Sequence, residues 1–163
     1  MTAYLYRMPA GIPGDLTRRE HCKVEQQQMD PNYPCLFFGI PVKMVSGLIR
    51  PMTAGDTSQP YGFLVRPFPT QRQTNEILGV ATPDPTQICD VMVSGYMTVK
   101  VYEGTPAKNG AVYYRGQAGS PAGNLGQLET DSSGSPTINT AITNCRFMGT
   151  FDANGFGEIA FNV

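Results

Sequence analysis

Met97-Thr98-Val99-Lys100-Val101-Tyr102 is the stretch that decides the fold. Met97, Val99 and Val101 alternate with Thr98, Lys100 and Tyr102, the period-two pattern of a strand with one buried and one wet face. Gly95 separates this run from the apolar stretch Ile88–Val93, and it predicts a bulge or bend between the two. Downstream, Asn109-Gly110 is a turn ahead of Val112-Tyr113-Tyr114-Arg115. Ile138, Thr140 and Ile142 alternate, and so do Cys145, Phe147, Gly149 and Phe151. Asp152-Ala153-Asn154-Gly155 is the strongest hairpin turn in the chain. The strand after it puts Ile159, Phe161 and Val163 on one face, with Glu158, Ala160 and Asn162 on the other. Breaker-rich stretches over 116–124 and 131–136 punctuate the series. Short strands at this spacing predict an all-β fold, an antiparallel jelly roll or small β-barrel.

Upstream, Lys43-Met44-Val45, Ser46-Gly47 and Leu48-Ile49-Arg50 read as a hairpin, because glycine supplies the positive φ of a two-residue turn. Tyr61, Phe63 and Val65 alternate until Pro67 and Pro69 stop the run, and polar residues over 70–86 predict a loop or linker. The first thirty-five residues differ. Met8-Pro9-Ala10-Gly11-Ile12-Pro13-Gly14 holds neither a helix nor a central strand. Thr17-Arg18-Arg19-Glu20 matches a capping box, yet Cys22, Val24 and Met29 keep no helical period. These features predict an extended N-terminal arm over 1–35 with one short helical turn, and a β body over 36–163.

A chain of 163 residues fits one domain, or one domain with an arm. Charged residues are 15% of it, against a usual share of about 25%. Eighteen Gly and fourteen Pro make it turn-dense, while eight Phe and eight Tyr supply the apolar mass for a core. Twelve basic against thirteen acidic residues leave a formal charge of −1. The local cluster Arg18, Arg19 and Lys23 is interleaved with Glu20 and Glu25, so no footprint for nucleic-acid phosphates exists and no direct nucleic-acid partner is expected. No run approaches the roughly 20 apolar residues of a membrane span, and the start lacks the pattern of a secretion signal. The expectation is a protein made in a cytosol, without a membrane partner.

The search for chemistry returns few candidates. Cys22, Cys35, Cys89 and Cys145 lie 13, 54 and 56 residues apart, matching no zinc spacing. Free buried thiols are the expected state, with a disulfide in an extracellular particle as the alternative. His21 neighbours Cys22, but adjacent side chains point apart and do not form a nucleophile–base pair. Gly155-Phe156-Gly157-Glu158-Ile159-Ala160 spells a dinucleotide fingerprint without the helix that would meet the pyrophosphate. Asp152-Ala153-Asn154-Gly155 starts like a calcium loop but has Val163 where the closing glutamate belongs. Glu129 and Asp131 read as a solvated turn. No catalytic, cofactor-binding or metal-binding residue is expected, and no enzyme. What remains is Tyr4, Leu5, Tyr6 and Met8, an apolar-aromatic cluster in a segment too broken to build its own core. It needs a partner: either the home domain, as a docked terminus, or another subunit. Arg7, Arg18 and Arg19 are the candidate polar residues of the same interface.

Three stretches carry a resemblance. The opening from Met1-Thr2-Ala3-Tyr4-Leu5-Tyr6-Arg7-Met8 through Pro13-Gly14-Asp15-Leu16-Thr17-Arg18 resembles the start of structural cement proteins of tailed bacteriophages. So does the end, from Arg146-Phe147-Met148-Gly149 to Ile159-Ala160-Phe161-Asn162-Val163. Gly95-Tyr96-Met97-Thr98-Val99-Lys100-Val101 with Gly110-Ala111-Val112-Tyr113-Tyr114-Arg115 is similar in kind, while 36–86 matches only loosely. The resemblance implies a β-barrel or jelly-roll body on the outer surface of an icosahedral head, in the virion, strapping neighbouring major capsid subunits together after expansion. It also implies self-contact on the shell, such as a homodimer across two-fold axes. A second reading is a carbohydrate- or receptor-binding β module of a tail fibre or spike, with Tyr113, Tyr114 and Phe156 as a sugar platform. The absence of tryptophan and of a fibre-like repeat counts against it.

Overall fold

The two runs either side of Gly95 join into one strand of sixteen residues, and the whole architecture hangs on it. The structure is a computed structural model that describes residues 11–53, 55–67, 82–116, 126–130 and 139–163. The strands are β1 (Lys23–Gln28), β2 (Pro41–Val45), β3 (Leu48–Pro51), β4 (Gly62–Leu64), β5 (Ile88–Glu103), β6 (Ala111–Arg115), β7 (Leu128–Glu129), β8 (Asn139–Phe147) and β9 (Phe156–Phe161). No α-helix occurs among the described residues. The loop expected over 70–86 falls outside them as far as residue 81, as do Ile138, the breaker over 131–136 and nearly all of that over 116–124.

Gly95 bends β5 without ending it. Its φ is +136°, and a Cβ there would stand 2.6 Å from Cys22 Sγ and 2.7 Å from Cys22 Cα. Glycine alone fits, for both reasons. Before this point β5 pairs antiparallel with β1 and β4; beyond it, β5 pairs antiparallel with β9 and parallel with β7. The pairings β5–β9, β9–β8, β8–β6, β6–β7 and β7–β5 form a closed ring, a five-stranded barrel. A second ring runs β1–β5–β4–β2–β3 and returns to β1 through a parallel bridge between Met29 and Ile49. Of the expected all-β forms, the small barrel is therefore present, built twice on one shared strand. Closing a sheet on itself removes the open edges that would pair with other chains.

Each ring encloses its own core, and period two distributes residues between them. Phe63 and Met92 enter the larger core with Met97, Val99, Tyr114, Phe147, Ile159 and Phe161. Their chain neighbours Leu64 and Val91 enter the smaller core with Met29, Cys35, Ile40, Val42 and Ile49. Phe63 and Val65 share the larger core as the alternation predicts, but Tyr61 packs against the smaller one, and Gly62 and Leu64 are buried as well, because β4 is covered on both sides. Thr98, expected on a wet face, is also buried. The segment 14–17 lies against it, with Gly14 N–H donating to the Thr98 carbonyl at 2.8 Å and Thr98 N–H to that of Asp15 at 2.9 Å. In β9 Ile159 and Phe161 face inward as expected, yet Ala160 is buried too and Val163 is exposed.

Local turns follow the residue chemistry. Ser46 and Gly47 hold φ of 52° and 81°, the two positive values of a tight hairpin turn, and β2 pairs with β3 across them. In the β8–β9 connection, Asp152 Oδ1 accepts the backbone N–H of Asn154 at 2.9 Å and of Phe156 at 2.8 Å. The two alternations around Ile142 and Cys145 belong to one strand, although they sit out of phase. Asn144, at φ 55°, absorbs the slip, and the β6–β8 register shifts there.

Two expectations need correction. Glu129 is not in a solvated turn: its side chain is 1% exposed, next to Leu128, which fills the larger core. Arg115 Nε donates to it at 2.5 Å and the Asn139 amide donates to its other oxygen, while Arg115 also reaches Glu103 at 2.7 Å. A buried carboxylate needs this many donors to offset its lost hydration. Thr17 does not cap a helix either. The chain makes one 3₁₀ turn over Arg19–His21, and the Thr17 hydroxyl donates to Glu158 Oε1 at 2.5 Å.

Candidate interaction surface

Tyr4, Leu5, Tyr6, Arg7 and Met8 lie outside the described residues. The rest of the expected arm runs along the body. Leu16 bridges Met97, β1 pairs with β5 from Lys23 to Gln28, and Met29 and Cys35 are core residues. Arg18 makes a two-pronged ion pair with Glu158, Nε to Oε1 at 3.1 Å and Nη2 to Oε2 at 2.9 Å, and its guanidinium stands 4.2 Å from the centre of the Tyr96 ring. The hydrogen-bonded carboxylate of Glu158 raises the Arg18 pKa further, against the opposing effect of burial. Arg19, one residue on, is exposed and has no ion pair among the described residues. The two arginines therefore point to different tasks, one clamping the segment and one facing solvent.

The four thiols are all free. Burial pushes Cys35 up to about 12 and Cys89 to about 11, and raises Cys145 as well. Thiols so far from ionising are poor nucleophiles and poor metal ligands. Among the described residues no cluster of His, Cys, Asp and Glu is placed to hold a metal ion. The carbohydrate platform loses its central member: Tyr114 is fully buried, its hydroxyl 2.8 Å from the Ser58 carbonyl and 3.1 Å from that of Asp56.

A feature that sequence reading missed is a groove of about 370 Å³ where the 11–13 and 37–40 segments meet the larger barrel. Ile12, Phe37, Tyr102 and Phe156 are among the side chains that line it, together with Arg66 and Lys100. Ile12, Phe37 and Tyr102 are 46%, 40% and 39% exposed, high for large apolar side chains. Lys100 Nζ stands 4.7 Å from the Tyr102 ring centre and 5.8 Å from that of Phe156. The one available signal was Lys100-Val101-Tyr102, whose outward members are a cation and an aromatic residue. Nothing local brings Ile12 and Phe37 to them.

Two small barrels on one strand and an aromatic groove define an all-β structural module whose exposed chemistry suits association. The sequence matches the family described as structural cement protein (E217 gp24/Pam3 gp6) over residues 1–162, and the chain belongs to that family. Its role is accordingly a capsid-associated structural one. A chain of the structure “The capsid of Myoviridae Phage XM1” superposes with a TM-score of 0.74 at 21% identity, covering 98% of this chain and 95% of that chain. At that identity the likeness concerns the fold. No curated protein matches the sequence. The tail-fibre reading is not favoured.

Proposed function

We propose that this protein binds the outer surface of an icosahedral phage head and straps adjacent major capsid subunits together, stabilising the mature shell without catalysis. The family match along nearly the whole chain is the observation that carries this reading. Tyr4, Leu5, Tyr6 and Met8 serve as apolar anchors on a neighbouring subunit, with Arg7 and Arg19 as polar partners. Arg18 contributes through the 44% of its side chain that the Glu158 pair leaves exposed. The protein is made in the bacterial cytoplasm, contacts a second copy of itself on the shell, and touches neither nucleic acid nor membrane. Many modest contacts suffice for the task, because repetition over a lattice multiplies them. A ligand that prefers the assembled shell stabilises it by mass action.

The test is co-sedimentation with expanded heads stripped of this protein, comparing the full chain with a variant that begins at Gly11. Truncation stops there because Met29 and β1 belong to the body. Saturable binding at a copy number set by the head's symmetry is expected, weakened at least tenfold by the truncation. Full-chain protein left in the supernatant overturns the capsid reading. Equal binding by both forms overturns the role given to the arm.

A further inference from the structure

The groove lined by Ile12, Phe37, Lys100, Tyr102 and Phe156 leaves large apolar side chains partly open to solvent, and its composition is unusual for free surface. Aromatic and aliphatic side chains left partly exposed at a concave site mark contact surfaces. Its charge is the second clue. Lys100 lines it and, among the described residues, no carboxylate does, in a chain whose formal charge is −1. Lys100 has no ion-pair partner among the described residues and rests against two ring faces, which hold a cation in place while leaving its charge unmatched.

We infer that this groove docks an extended segment of the major capsid protein that carries a carboxylate flanked by apolar side chains. This rests on the capsid reading and adds to it the place and chemistry of contact. The chain's own beginning is the obvious competitor, since Gly11 lines the groove. Residues 1–10 contain Arg7 and neither Asp nor Glu, so their charge has the wrong sign. A carboxylate at Lys100, by contrast, gains a charge-assisted hydrogen bond in a setting partly shielded from water.

Binding to stripped, expanded heads tests this with Lys100→Glu, Lys100→Arg, Phe37→Ser and the distant control Ile88→Ser, each checked by thermal melting and by sedimentation of the free protein. The expected result is a loss of at least tenfold in affinity for Lys100→Glu and Phe37→Ser, with Lys100→Arg and Ile88→Ser within twofold of the parent. Raising salt should weaken the parent and partly restore Lys100→Glu, whose like-charge repulsion with the partner carboxylate is screened. Parent-like binding by Lys100→Glu overturns the inference while the capsid reading stands. So does a change confined to self-association of the free protein, which assigns the groove to a second copy. If Phe37→Ser does not fold, the Lys100 pair decides alone. Heads that fail to bind the parent overturn the capsid reading itself, a separate outcome.

Discussion

Gly95 is the residue on which most depends. An alanine there keeps a backbone conformation that L-residues rarely adopt and drives its methyl to 2.6 Å from Cys22 Sγ. The two costs add to about 2–6 kcal/mol. Gly47→Ala is the natural comparison, since it too has positive φ but no atom within 4 Å of the added carbon. It should cost only about 1–2 kcal/mol. Urea denaturation of both variants separates backbone strain from collision, and equal midpoints would show that the Cys22 contact contributes nothing. Cys22→Gly should not rescue Gly95→Ala, because Cys22 Cα itself lies 2.7 Å from the new methyl. A glycine between two apolar runs announced a bend. That the chain passes within contact distance at residue 22 is a relation across seventy positions, and no local pattern encodes it.

At the scale of elements, alternation and turn chemistry made most strands legible, because each strand's period and each turn's φ are local matters. The hairpin at Ser46-Gly47 and the turn at Asp152–Gly155 are the clearest cases. What stayed hidden was coverage of the second face, as at Thr98 and Leu64, and the burial of Glu129, which depends on Arg115 arriving from another strand. The closure of the smaller ring was hidden for the same reason. It rests on the end of β1, where Asp30 N–H donates to the Ile49 carbonyl and the Asp30 carboxylate takes Arg50 at 2.7 Å. The Asn32 amide, first, and then Arg50 hold the Asp30 pKa below its ordinary value, with burial opposing them. A carboxylate whose folded pKa is depressed contributes stability in full above its unfolded pKa of about 3.9, and loses it as pH falls toward the folded value. Asp30→Asn should therefore lower Tm at pH 7 and flatten the decline of Tm below about pH 4. A decline as steep as the parent's would mean that Asp30 is not an acid-sensitive closure of the ring.

For the whole molecule, the shared strand sets how the parts unfold. Val91 fills the smaller core and Met92, the next residue, fills the larger one. Both are fully buried, so β5 cannot loosen on one side of its pleat without disturbing the other. The N-terminal run reinforces this: its Met29 fills the smaller core, while its Leu16 bridges β5 on the side of the larger barrel. Two rings of five strands on separate chains would melt independently. Here one cooperative transition is expected, recorded at the same midpoint by far-ultraviolet circular dichroism and by tyrosine fluorescence. Val91→Ala and Met92→Ala should each move that single transition, the first by about 1–3 kcal/mol and the second by about 2–5. Two resolved transitions, with each variant shifting only one, would show that the barrels are separate folding units and that β5 is merely a tether. Cooperativity matters to a cement protein because load applied at one barrel reaches the other through the shared strand. A body that unfolded in halves would release a capsid contact with only half the unfolding free energy of the whole.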